Sequence, residues 1–152
     1  MTLFKGRNEK NTSRKRVIRT CCDGEVVDIS KSSNPAISSK ILGEGFSVNC
    51  TGEDITAPIG GTVKDISDKG HSYAITGEDG VNVLVCITSD SKREELEPQV
   101  SEGQTVEAGD LLCRKENAEA AVIVTNSEIM DRFRIALGMT KTAEDGVIIY
   151  EI

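Results

Sequence analysis

The sequence predicts an all-β fold: an antiparallel β-sandwich or flattened barrel built on a duplicated β motif, with one short C-terminal helix. Three observations predict it. Short apolar runs rich in Val and Ile recur about every ten residues, and turn residues punctuate them. No long 3.6-residue period competes with that pattern. An internal repeat also pairs "DGEVVDIS" at 23–30 with "GGTVKDIS" at 60–67, identical at five of eight positions. Two copies are too few for a solenoid, so a duplicated β unit whose halves pack face to face is expected.

Taken in order, residues 17–21 and 24–29 read as strands, and residues 31–35 (Lys-Ser-Ser-Asn-Pro) as a loop. Further strands are expected at 46–50, 54–57, 62–66, 72–76 and 81–87. "VSEGQTVEAGDLL" at 100–112 places two turns around a short strand. Ser127 would cap a helix over "SEIMDRFRIALG", with Ile129, Met130, Phe133 and Ala136 on one stripe and Gly138 ending it. "GVIIYEI" at 146–152 closes the sheet. Aromatic content is 3% with no Trp, so the core must rest on Val, Ile, Leu and Ala.

Charge divides the chain. Residues 1–20 hold seven Lys/Arg against Glu9, a net +6, and the remainder is −13. A basic mobile arm (1–16) on an acidic domain (17–152) argues against nucleic-acid binding, because the body repels phosphate backbones. The arm could make a weak contact with anionic lipid or with an acidic partner. "MTLFKGRNEKNT" lacks the apolar centre of a signal peptide, and no apolar run is long enough to cross a membrane. Five cysteines without an export signal are expected to be free thiols in the cytoplasm.

The chemistry concentrates in "GHSYAITGEDGVNVLVCITSDS" at 70–91, which holds the one histidine, His71, and Cys86. A hairpin tip at 77–80 would set Thr76 opposite Val81 and bring His71 opposite Cys86. Directly opposed residues share a face, and a one-residue slip would separate them. An imidazolium beside the thiol would lower its pKa and raise the thiolate fraction. Four readings follow: a cysteine protease, which lacks a visible third group; a zinc site, which needs more ligands; a phosphoryl-accepting thiol; and a small core thiol with a histidine packed nearby.

"ITAPIGGTVKDI", the 70–91 segment and "VSEGQTVEAGDLL" together resemble the glucose-type enzyme IIA domain of the bacterial phosphoenolpyruvate-dependent sugar phosphotransferase system. "DGEVVDISKSSNPAISSKILGEGFSV" upstream and "AEAAVIVTN" downstream extend the resemblance from about residue 17 to 152. It implies an antiparallel β-sandwich with a shallow active face and no cofactor. Phosphate would arrive from an HPr-like carrier protein and pass to a IIB domain. The family's two active-site histidines fall on His71, the supporting one, and on Cys86, where the phosphate acceptor belongs. The acceptor motif reads Cys86-Ile87-Thr88-Ser89-Asp90-Ser91 here, with Asp90 kept; the family's usual threonine is Lys69, and its docking aromatics appear as Ile37 and Ser67. The resemblance thus implies Cys86, His71 and Asp90 as catalytic positions, and Ile37, Ile41, Phe46, Lys69 and Ser89 as partner-binding ones. Three functions are compatible with it: a binding or regulatory module without histidine phosphotransfer, a phosphocarrier using Cys86 supported by His71, and a metal or redox site at His71 and Cys86.

Overall fold

The computed structural model of the chain describes residues 15–88, 94–140 and 145–152. Its regular structure is antiparallel strand almost throughout: β1 (Arg16–Arg19), β2 (Gly24–Asp28), β3 (Glu44–Cys50), β4 (Asp54–Thr56), β5 (Gly61–Ile66), β6 (Ser72–Thr76), β7 (Asn82–Thr88), β8 (Thr105–Val106), β9 (Leu111–Arg114), β10 (Glu119–Val124), β11 (Arg132–Ile135), β12 (Gly138–Thr140) and β13 (Gly146–Glu151). The single α-helix among the described residues is one turn, α1 (Pro35–Ser38). Asn34 starts it by accepting the Ala36 N–H, and proline suits the first helical position, where an N–H would have no partner.

Eight strands form one sheet in the order β12-β2-β3-β10-β7-β6-β5-β8, β1, β13 and β11 form a second, and β4 pairs with β9. Alternate residues of each strand point inward, as the two-residue period requires. Val83, Val85 and Ile87 of β7, Tyr73 and Ile75 of β6 and Val122 of β10 share one core with Ile18 and Ile148 of the small sheet. A second, smaller apolar cluster lies on the opposite face of the large sheet. There Ile29 and Ile37 cover Ala121 and Ile123, with Leu42, Leu84 and Cys86 against them.

Strand β10 therefore has apolar side chains packed on both faces. From Ala120 to Val124 its sequence is an unbroken apolar run rather than an alternating one, so alternation alone passes over it. The repeated segments become β2 and β5, each second from one end of the same sheet. They hold equivalent positions about the β10–β7 centre instead of lying in separate facing sheets.

Two further expectations fail. Residues 127–138 do not form a helix: Ser127–Ile129 makes one 3-10 turn and β11 follows. The cap position, Asn126, makes no side-chain cap hydrogen bond. Each residue of β11 instead pairs with β13, from Arg132 opposite Glu151 to Ile135 opposite Ile148. Helix propensities differ by only about 0.7 kcal/mol per ordinary residue, and sheet pairing overrides them. The cysteines are also not all free. Pairing of β2 with β3 sets Gly24 opposite Cys50 and brings Cys22 to a Cα–Cα distance of 6.0 Å from Cys50, where the two are joined as a disulfide. Cys21, Cys86 and Cys113 remain thiols.

Phe46 lies at 0% exposure in the main core. Phe46→Ala should lower the unfolding free energy by about 3–5 kcal/mol in urea denaturation. A surface role would leave stability within about 0.5 kcal/mol of the parent.

Candidate functional site

The candidate site lies at the open end of the β6–β7 hairpin, and the turn at the other end sets its geometry. Gly77 N–H donates to the Val81 carbonyl at 2.9 Å, and Gly80 N–H donates to the Gly77 carbonyl at 3.0 Å. The Asp79 carboxylate accepts the Val81 N–H at 3.1 Å, and Gly80 takes φ +91°. This is a three-residue loop with glycine in the left-handed position, where a side chain would be strained. Gly77 consequently faces Val81, Thr76 faces Asn82, and Ser72 faces Cys86. The four-residue tip expected from sequence sets the register one residue off. His71 is not opposite Cys86, and its carbonyl accepts the Ile87 N–H at 2.8 Å.

Cys86 points to the outer face of the large sheet. It is partly buried and packs against the cluster of Ile29, Ile37, Ala121 and Ile123. Ser72 of β6 and Ala121 of β10 flank it across the strands. Burial pushes its thiol from 9.0 to about 11. An imidazolium neighbour would have moved it the other way. The folded protein thus holds this proton more tightly than the unfolded chain does. That contribution to stability is fully present below about pH 9 and is lost as pH rises through about 11.

His71 is held by contacts that the strand pattern did not foretell. Ser67 Oγ accepts the N–H groups of both His71 and Ser72 at 3.0 Å. The His71 ring nitrogen Nε2 lies 2.6 Å from the Glu94 carbonyl. A carbonyl only accepts, so Nε2 carries the proton in this bond and Nδ1 is the other ring nitrogen. Residues 94–96 run beside the turn before β6, with Leu96 N–H donating to the Lys69 carbonyl at 2.9 Å. Gly70 allows this approach: it takes φ +73°, and a Cβ there would collide with the Leu96 carbonyl. Lys115 Nζ fixes the Glu94 carboxylate at 3.1 Å. Sequence offered one signal for this clamp, the serine four residues before His71, which stands where the resemblance places a docking aromatic.

The remaining predicted positions divide. Ile41 is 79% exposed and Lys69 is also exposed, so both can meet a partner. Ile37 and Phe46 cannot in this conformation: Ile37 is the buried residue of α1, 1% exposed, and Phe46 belongs to the main core. Apolar side chains at inward positions of a cap and a strand go to the interior, whatever the corresponding residues do elsewhere. Ser89 and Asp90 lie outside the described residues. Among the described residues, no group of three or more His, Cys, Asp or Glu side chains could hold a metal ion. Glu119, which the motif reading overlooked, ties the cap to the sheet. Its carboxylate accepts the Ser32 hydroxyl at 2.8 Å and the Ser33 N–H at 3.2 Å.

The family model of the phosphoenolpyruvate-dependent sugar phosphotransferase system, EIIA 1, matches residues 16–129. A glucose-specific EIIA component from Staphylococcus aureus is 29% identical over 153 residues, covering 89% of this chain and 92% of that protein. A glucose-specific EIICBA component from Streptococcus pneumoniae is 38% identical over 98 residues, or 62% of this chain; the match spans only 14% of that longer protein. The solved structure of glucose permease IIA from Mycoplasma capricolum superposes with a TM-score of 0.77 at 22% identity, covering 90% of this chain and 96% of that one, which shows a common fold. The sandwich, the ordered motifs and a family match over most of the chain lead to one conclusion: this chain belongs to the glucose-type EIIA family of the phosphoenolpyruvate-dependent sugar phosphotransferase system.

Proposed function

We propose that this chain is a glucose-type EIIA component that has lost histidine phosphotransfer and acts in the cytoplasm as a binding or regulatory module of the sugar phosphotransferase system. One observation supports the reading: burial raises the thiol of Cys86, the residue that the resemblance aligns with the phosphate acceptor, to about 11. At pH 7 such a thiol is ionised in roughly one molecule in ten thousand, and the thiolate is the nucleophile. A cysteine side chain is also shorter than a histidine, so its sulfur stops short of where an imidazole Nε2 would reach. Transfer is sensitive to displacements of about 1 Å. His71 does not offset these losses, because its Nε2–H is already engaged with the Glu94 carbonyl.

The docking face need not share this fate. Ile41 and Lys69 are exposed beside the cap and the site turn. An HPr-like carrier or a IIB domain would meet the chain there, with Ser89 and Asp90 following Cys86 in the sequence. Binding without transfer would let the protein report on, or compete for, the phosphorylated state of its partners.

Two measurements test the reading. Incubation with phosphoenolpyruvate, enzyme I and HPr should leave the intact mass unchanged at neutral pH; a phosphoryl adduct abolished by Cys86→Ser would assign phosphate transfer to the thiol instead. Alkylation of Cys86 by iodoacetamide should be slow at pH 7 and should accelerate with an apparent pKa near 11. A midpoint below about 8.5, the ordinary range for a free thiol, would contradict the buried, neutral state.

A further inference from the structure

Strand β11 ends the three-stranded sheet. Strand β13 pairs with one side of it, and among the described residues no strand pairs with the other. The phase of the ladder fixes which groups face the open side. Ala136 N–H donates to the Val147 carbonyl at 2.8 Å, so Ala136 and, two residues back, Arg134 turn their backbone groups toward β13. Phe133 and Ile135 therefore turn their N–H and C=O groups outward, a template for a further strand. The side chains alternate as well. Arg134 shares one face with Ile149 and Val17, and Arg132, opposite Glu151, lies on that same face. Phe133 lies on the other face, in the row of Tyr150 and Arg16, and Ile135 follows it opposite Ile148. Phe133 is 41% exposed, and Leu137, two residues beyond Ile135, is 56% exposed. Arg132 and Arg134 form no ion pair among the described residues.

We propose that the open edge of β11 docks an extended polypeptide segment in which acidic and apolar residues alternate, added as a fourth strand of the small sheet. Such strand addition draws affinity from main-chain hydrogen bonds and specificity from alternate side chains. The outward backbone groups of Phe133 and Ile135 supply the first. Directly opposed residues share a face, so the partner presents Asp or Glu to Arg132 and Arg134, and apolar side chains to Phe133 and Ile135. Charge complementarity selects this partner. Lys15, Arg132 and Arg134 gather around a hollow of about 170 Å³ that also holds Glu151, and residues 21–152 as a whole carry −13. An acidic segment is therefore repelled by most of the molecule and drawn to this edge. A second copy of the chain fits poorly. Two-fold pairing of β11 with itself centred on Arg132, Phe133 or Arg134 sets arginine directly opposite arginine, which is destabilising. Further along, the chain leaves the edge at Gly138 to pair with β2. The edge belongs to the small sheet and Cys86 to the large one, so this partner is separate from one that meets Ile41 and Lys69.

The test is fluorescence anisotropy of the full chain with a fluorescein-labelled peptide, Glu-Val-Glu-Phe-Glu-Val-Glu. A peptide of the same composition with its glutamates in one block should bind about tenfold more weakly, and so should the alternating peptide methylated at alternate backbone nitrogens. Arg132→Glu with Arg134→Glu should lower the affinity by about tenfold or more without shifting the melting temperature. Hydrogen exchange on the unaltered chain supplies a second reading that survives should that variant melt early. The Phe133 and Ile135 amides should exchange more slowly in the complex, while the Arg134 amide, already turned toward β13, keeps its rate. Absence of binding, equal binding of the block peptide, or unchanged exchange at Phe133 and Ile135 would each overturn the proposal. So would protection of those two amides by dimerisation of the chain without peptide.

Discussion

The loop at residues 78–80 is the constraint on which the site depends. Gly80 in the left-handed region and the Asp79 carboxylate on the Val81 N–H close a three-residue loop. In an antiparallel pair, one residue of slip turns every side chain to the other face. This loop therefore decides that Tyr73 and Ile75 meet Val85 and Val83 in the core, and that Cys86 faces outward beside Ser72. The same step moves His71 off the thiol and leaves its backbone to Ile87.

An outward position would ordinarily expose Cys86, but the segment from Ile29 to Leu42 covers it. Ile29, Ile37 and Leu42 bring apolar surface onto β10 and β7, and Glu119 pins the cap through Ser32 and Ser33. The cap thus sets the chemistry of Cys86. A thiol under it loses water, and desolvation favours the neutral form. The fold thus surrounds Cys86 with apolar side chains of β10, β7 and the cap, and the thiol stays in its neutral form at neutral pH.

Much of this was legible in the sequence. Alternation located seven strands of the large and small sheets closely, and the motifs carried the family. The register was legible too, in a signal other than turn length. Only pairing Tyr73 with Val85 and Ile75 with Val83 places all four buried residues on one face, whereas the four-residue tip sets Ile75 against the exposed Asn82. Strand β10 was hidden because burial on both faces erases the two-residue period. Residues 127–138 carried a helical stripe, yet β13 offered β11 a sheet edge, and no single segment reveals its distant partner. The Ser67 clamp on His71, the Glu94 carbonyl and the Cys22–Cys50 pair are likewise products of tertiary approach.

The register can be measured directly. Ile87 N–H bonded to the His71 carbonyl and Gly77 N–H bonded to the Val81 carbonyl make 71/87 and 77/81 hydrogen-bonded pairs. Ser72 and Cys86 then form a non-hydrogen-bonded pair, in which the backbones approach to a Cα–Cα distance of about 4.5 Å. Nuclear Overhauser spectroscopy of the labelled protein should show a strong Hα–Hα contact between Ser72 and Cys86. A strong Hα–Hα contact between His71 and Cys86 instead would place imidazole and thiol side by side and contradict the account.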